Sequence, residues 1–184
     1  MTDEPRVSFE QLVYQFSGPL SGYLTRMLGS ASDADDVLQE TLMRIARGLP
    51  DLEKRSSPKS WAFRIATNAA IDYLRKTGRA GFVEFTEADD RSDVDEEDRI
   101  VLREMNACVR EVIDSLPPDH RAAIVLFNLE GKSVAETAEI LEMSVTATKV
   151  RIHRAKKRLE EALGHECTYY TTQDGILRCD RKKN

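Results

Sequence analysis

Apolar residues recur at alternating steps of three and four through most of this chain, which is the spacing of amphipathic helices. The pattern predicts helices over 8–28, 33–49, 58–76 and 99–116, and a further helix that starts at Asp119. Gly18 and Pro19 interrupt the first helix, so either one kinked helix or two short helices fit. Ser32 is the expected N-cap of the second. No strand pattern precedes residue 164.

Two helical patterns meet at a short corner, Glu142-Met143-Ser144, within residues 133–163. Ser133 and Glu136 have the spacing of a capping box, and Ser144 is placed to cap the second helix. One stripe of that helix should face inward: Val145, Thr148, Ile152, Ala155 and Leu159. The other side should carry its cations: Lys149, Arg151, Arg154, Lys156, Lys157 and Arg158. The pattern predicts a DNA-binding helix-turn-helix, with an ordinary helical hairpin as the alternative.

The net charge of -5 is compatible with DNA binding because the acidic residues are concentrated in one segment. Residues 84–98 hold nine acidic side chains and one arginine, so the rest of the chain sums to about +3. We expect this acidic stretch to be a flexible linker at 79–98. The predicted fold is therefore all-α, with two small helical domains at 8–78 and 99–163 and a tail at 164–184.

The sequence carries no constellation that indicates an enzyme. It has no glycine-rich phosphate loop, no HExxH motif and no nucleophile elbow, and its histidines, His120, His153 and His165, are scattered. The polar N-terminus and the shortness of the longest apolar run, 122–127, predict a cytoplasmic protein with no membrane insertion of its own.

The tail holds His165, Cys167 and Cys179, which are candidate metal ligands. Their spacing matches no compact zinc motif, and no fourth ligand is obvious. Asp174 and Gly175 favour a turn between two short β-forming segments, so an appended hairpin is the preferred interpretation. We therefore predict neither a metal nor a cofactor.

Three segments in order, spanning about 8–163, carry a family resemblance. They are DADDVLQETLMRIARGL, SWAFRIATNAAIDYLRK and LPPDHRAAIVLFNLEGKSVAETAEILEMSVTATKVRIHRAKKRL. They resemble the extracytoplasmic-function group of bacterial sigma factors, in the sigma-70 family. The resemblance implies that the first domain binds core RNA polymerase and the minus-10 promoter element, that the second binds the polymerase flap and the minus-35 element, and that an anti-sigma factor is a further partner.

The resemblance also implies residue roles. The expected polymerase-binding strip is Asp35, Asp36, Gln39, Glu40 and Arg47. The residues expected to face promoter DNA in the first domain are Arg64, Asn68 and Arg75. In the recognition helix, Lys149, Val150, His153 and Arg154 match base-facing positions, and Arg151 and Arg158 match phosphate-facing ones. Trp61 either frames the promoter-melting surface or anchors the core. Departures from the family pattern at Thr146 and Val150 leave the promoter sequence open, and a stand-alone helix-turn-helix regulator with a sensing or dimerisation domain is the alternative function.

Overall fold

The computed structural model describes residues 9–52, 57–79, 107–171 and 177–181, and the chain divides into two compact units, Met1–Leu74 and Arg75–Asn184. The helices are α1 Phe9–Leu28, α2 Ala31–Leu52, α3 Pro58–Lys76, α4 Ala107–Ser115, α5 Pro118–Ile124, α6 Val134–Leu141 and α7 Val145–Glu166. A π-helical turn, Val125–Leu129, continues α5. The predicted helical fold is confirmed, whereas nearly all of the predicted linker and the start of the 99–116 helix lie outside the described residues.

Helix α1 resolves the alternative left open at Gly18 and Pro19, because it is a single helix that passes through both residues. Both are exposed, whereas Leu12, Phe16 and Leu20 on the opposite side are buried. Apolar packing of α1 against α2 therefore keeps α1 continuous, although Pro19 has no backbone N–H to donate.

The predicted N-cap of α2 was wrong. The helix starts at Ala31, and the Oγ of Ser30 accepts a hydrogen bond from the backbone N–H of Asp33 at 3.3 Å. Ser32 instead lies exposed in the first turn. A cap two residues earlier adds half a turn to the helix, which also extends three residues beyond the predicted end, to Leu52.

The core of the first unit includes one buried polar contact. The Tyr23 hydroxyl lies 2.9 Å from Thr67 Oγ1, and the Thr67 hydroxyl donates to the Phe63 carbonyl at 2.7 Å, so Tyr23 is the donor to Thr67. Trp61 is 6% exposed, and a Cβ added at Gly48 would lie 2.9 Å from its Cζ2 atom. This close approach of α2 to the indole favours the core-anchoring role of Trp61.

The core of the second unit joins α5 and its π-helical turn to α6 and α7. Ala123, Phe127, Val134 and Ile152 form one buried cluster, and Leu116, Ile124 and Ala155 form another. Two predictions for α7 were wrong. Val145 is 48% exposed, because the first turn of α7 lies outside the buried clusters that the later residues of its stripe join. Lys156 is buried rather than on the outer face, because its ammonium lies over the Phe127 ring, 5.7 Å from the centroid.

The tail forms the expected hairpin, with strands β1 Cys167–Thr171 and β2 Leu177–Arg181 paired antiparallel. β1 adjoins α7 and β2 adjoins α4. Asp174 and Gly175 lie outside the described residues. Among the helices that the structure describes, none combines the length and the apolar character needed to span a bilayer.

Candidate nucleic-acid interface

Helix α6 begins with the predicted capping box. Ser133 Oγ accepts from the backbone N–H of Glu136 at 3.1 Å, and the Glu136 carboxylate accepts from the backbone N–H of Ser133 at 2.8 Å. Val134, Thr137 and Ala138 are buried. The small Ala138 side chain lies on the buried side of α6, which packs against α7. The first helix of the motif is thus fixed at its start and along one side.

The corner between α6 and α7 is fixed from both sides. Glu142 adopts a left-handed conformation with φ 53°, and the backbone N–H of Met143 donates to the Ala138 carbonyl at 3.0 Å. Ser144 Oγ then accepts from the backbone N–H of Ala147 at 3.1 Å, which confirms the predicted cap of α7. Because both helix ends are satisfied by the chain itself, the orientation of α7 relative to α6 is set before any ligand binds.

The predicted DNA-contacting residues are distributed over one side of α7. Lys149, Val150, Arg151, His153 and Arg154 are half-buried, and Arg158 is exposed. Val145 and Thr146 in the first turn are exposed as well. The N-terminal residues of a recognition helix contact base edges, so both are further candidates for promoter contact. Sequence reasoning missed Val145 because its spacing also fits the core stripe.

Beneath this face lies His120 of α5, which the sequence left without a role. Its pKa is lowered from 6.5 to about 4, mainly because burial disfavours the imidazolium and secondly because Arg151 repels it. Arg154 adds to the repulsion, and Asp119 offsets part of both effects. Burial also lowers the pKa of Arg151, with Asp119 opposing it. A neutral His120 therefore lets the two arginines stay together on the recognition helix.

We expect His120 to make the second unit sensitive to acid. The unfolded chain binds a proton at His120 near pH 6.5 and the folded chain only near pH 4, so lowering the pH between these values reduces the free energy of unfolding. Urea unfolding of wild type and His120→Gln across this range measures the effect. The variant should lose less stability than wild type between pH 6.5 and 4, and identical losses would show that His120 does not titrate in this way.

A second candidate surface lies on α3. Asn68 and Arg75 are exposed, and Arg64 is half-buried. Offsets of four and eleven residues from Arg64 place all three on one side of the helix. This face offers one amide that both donates and accepts hydrogen bonds, and two arginines for phosphates, of which Arg75 also donates to the Asp119 carboxylate at 3.0 Å.

The predicted polymerase-binding strip runs along α2. Asp35, Asp36, Gln39 and Arg47 are exposed, and Met43, 46% exposed, lies among them. Glu40 is half-buried, and its carboxylate accepts from Arg44 Nε at 2.9 Å. Arg44 Nη1 also lies 3.4 Å from the Asp72 carboxylate on α3. The pKa of Arg44 is raised, chiefly by the hydrogen bond to Glu40. Sequence reasoning missed this link because Asp72 is distant along the chain.

None of these three surfaces has the features of a metal centre. Among the side chains that the structure describes, no group of three or more His, Cys, Asp or Glu residues could hold a metal ion. The described surfaces instead offer cations, amides and carboxylates, which are suited to binding macromolecules.

Two family models match the chain: sigma-70 region 2 over residues 12–80 and sigma-70 region 4 over residues 106–159. The RNA polymerase sigma-H factor of Pseudomonas aeruginosa is 32% identical over 166 residues, covering 85% of this chain and 86% of the relative. The ECF RNA polymerase sigma-E factor of Haemophilus influenzae is 31% identical over 166 residues, covering 85% of this chain and 87% of the relative.

Solved structures show the same fold. CnrH, solved in complex with the cytosolic domain of CnrY, is 27% identical with a TM-score of 0.61, over 85% of this chain and 88% of CnrH. The sigma factor RpoE of Bartonella quintana, solved with the anti-sigma factor NepR, has a TM-score of 0.62 at 24% identity, over 86% of this chain and 98% of RpoE. The second likeness concerns the fold alone.

Proposed function

Because the chain belongs to the extracytoplasmic-function group of the sigma-70 family, we infer that it is a promoter-specificity subunit of RNA polymerase. It binds core RNA polymerase and directs it to specific promoters, where transcription starts. The observation that carries this function is the ordered match of both sigma regions, the second of them ending in the capped helix-turn-helix. A stand-alone regulator is not favoured, because a sensing or dimerisation domain has no need of a sigma region 2.

We propose a division of labour between the two units. The region at 8–78 binds the polymerase clamp helices and the minus-10 element, and the region at 99–163 binds the flap and the minus-35 element. The exposed strip on α2 and the polar face of α3 support the first assignment. The basic side of α7 supports the second. The chain contributes recognition and melting of the promoter and leaves catalysis to the core enzyme, with which it works in the cytoplasm.

The polymerase-binding strip, Asp35, Asp36, Gln39, Glu40 and Arg47, is dominated by carboxylates and suits a basic partner surface. We expect Gln39→Arg to weaken binding to core polymerase about tenfold, or about 1.4 kcal/mol, because it adds a cation to an acidic docking surface. Titration of labelled chain with core polymerase measures this. Gln15→Arg on α1 is the matched control, since Gln15 is also an exposed helical glutamine outside the strip. Equal affinities for the two variants would reject the strip.

Asn68 is proposed to read an unstacked base of the melted minus-10 strand, with Arg64 and Arg75 on flanking phosphates. Asn68→Ala should reduce open-complex formation by about 1 kcal/mol, roughly fivefold, because it removes hydrogen bonds to one base. Permanganate footprinting of the melted strand measures the loss. The loss of open complex should depend on the base at one minus-10 position. Lys59→Ala, at the other end of α3, should not reduce open-complex formation. A loss spread over every minus-10 variant would assign Asn68 to phosphate binding instead.

We also propose that an anti-sigma factor holds the chain inactive until a signal arrives. The similar chain CnrH was solved with the cytosolic domain of CnrY. In this chain the α2 strip and the basic face of α7 are both needed by polymerase and promoter, so a partner that covers either one blocks initiation. Binding of such a partner should compete with core polymerase.

A further inference from the structure

Two β-branched side chains interrupt the basic face of α7. Thr146 is exposed and Val150 is half-buried. Their spacing of four residues places them next to each other on one side of the helix, with Cβ atoms about 5 to 6 Å apart. The stripe of buried residues on the opposite side is Thr148, Ile152, Ala155 and Leu159. Thr146 and Val150 therefore carry their methyl groups on the side of α7 that faces away from the core.

Neither the core nor the helix explains the presence of these two residues. Branching at Cβ costs rotamer freedom in a helix, so unbranched polar residues would suit this outer side better. Val145, which is 48% exposed, differs from them because it lies about 100° around the helix from Thr146, at the edge of the buried stripe. An apolar pair among the cations of α7 indicates a partner that presents an apolar group close to phosphates.

Double-stranded DNA presents such a group to a recognition helix. In the major groove, the C5 methyl of thymine is an apolar feature among base edges that otherwise carry hydrogen-bond donors and acceptors. Thr146 and Val150 lie in the first two turns of α7, the part of a recognition helix that contacts base edges. The cap at Ser144 fixes the start of α7, and branching restricts both side chains, so little freedom is lost when a methyl group packs against them.

We propose that Thr146 and Val150 together contact the C5 methyl of one thymine in the minus-35 element and so set a preference for that base. The inference rests on the proposed function and adds to it a base that the cations of α7 do not read. The chain departs from the family pattern at both positions, which is where a base preference of its own is expected.

The position of Arg154 predicts where this thymine lies. Arg154 follows Val150 by one helical turn. A turn of about 5.4 Å corresponds to fewer than two base-pair steps of about 3.4 Å, so the thymine should lie within about two base pairs of the base that Arg154 contacts.

The test measures the contribution of the methyl group directly. The chain bound to core polymerase first selects its preferred minus-35 duplex from random sequences. Each thymine on either strand is then replaced singly by deoxyuridine, which lacks only the C5 methyl. Wild type should lose about fourfold in affinity at one thymine, the factor that burial of one methyl group is worth, and little at the others.

Two variants remove methyl groups from the protein instead. Thr146→Ser keeps the hydroxyl and loses only the methyl, and Val150→Ala shortens the valine to a residue that favours the helix. In each variant the same deoxyuridine should weaken binding by less than about twofold, because the two methyl groups in contact are coupled. Arg158→Ala is the control, since loss of a phosphate contact should weaken binding to both duplexes alike and leave the effect of deoxyuridine unchanged.

A selected duplex that tolerates deoxyuridine at every thymine would overturn the inference and leave the proposed function intact. The inference also fails if either methyl variant shows the full effect of deoxyuridine. It fails as well if the sensitive thymine lies more than about two base pairs from the base whose preference Arg154→Ala relaxes. A holoenzyme that selects no minus-35 sequence at all would overturn the proposed function together with this inference.

Discussion

Replacing Asp114 with alanine is expected to lower the free energy of unfolding of the second unit by about 3 kcal/mol. Arg121 of α5 is 2% exposed and lies 3.2 Å from the Asp114 carboxylate through its Nη1 atom, while its Nη2 atom donates to the Asp114 carbonyl. Burial lowers the pKa of Arg121 to about 10, and Asp114 opposes that shift. The guanidinium remains charged at neutral pH, so removing its carboxylate leaves a buried charge without its counter-ion.

The loss should fall at the low end of the range for buried ion pairs, because Asp114 itself is 40% exposed and water screens part of the attraction. Arg110 shares the same carboxylate, at 2.6 Å from Nη2 and 2.9 Å from Nε, so Asp114→Ala also releases a second cation. Urea unfolding of the full chain, followed by a probe in the second unit, measures the change.

Arg121→Met is the control that identifies the cause. It removes the buried charge together with the need for a counter-ion and fills a similar volume, so it should cost about 1 kcal/mol or less. Its main cost is the hydrogen bond lost at the Asp114 carbonyl. If Arg121→Met destabilised the chain more than Asp114→Ala does, the buried charge would not be the source of the effect.

Arg154→Ala is expected to weaken binding to the preferred minus-35 sequence by about 1 to 3 kcal/mol and to relax the preference at one base pair. A planar guanidinium can form two hydrogen bonds with guanine in the major groove. Arg154 Nε is buried and has no hydrogen-bond partner within the part of the chain that the structure describes. A bidentate contact would therefore use the two terminal nitrogens.

Arg158→Ala is the matched comparison, one turn along the same helix. Arg158 is exposed and is assigned to a phosphate, so its loss should weaken binding to all sequences alike and reduce the salt dependence by about one ion. Holoenzyme binding to a cognate minus-35 duplex and to single-base variants separates the two effects. Equal losses on cognate and scrambled duplexes for Arg154→Ala would reject its assignment to a base.

Local features of the fold were predictable because neighbouring residues determine them. The capping box of Ser133 and Glu136, the cap at Ser144 and the start of α3 at Pro58 depend on side chains within three or four positions. The prediction of the α2 N-cap was wrong because Ser30 and Ser32 both have suitable side chains, and spacing alone does not distinguish them.

Features that depend on tertiary contacts were not predictable. The spacing of Val145 and Lys156 on α7 does not reveal where the facing Phe127 cluster ends. The link between Arg44 and Asp72 was not predictable, because the two residues lie on different helices. The residue roles at the interfaces came from the family resemblance, since exposure and charge alone indicate a surface and not its partner.

The most direct test of the central claim is transcription by core RNA polymerase on a library of templates with randomised minus-35 and minus-10 elements. With this chain added, transcripts should start at a fixed distance downstream of one enriched pair of elements, and core polymerase without the chain should give none of them. The contrary result is a chain that leaves core polymerase unchanged at every template and binds a duplex sequence tightly by itself, which is the behaviour of a stand-alone regulator.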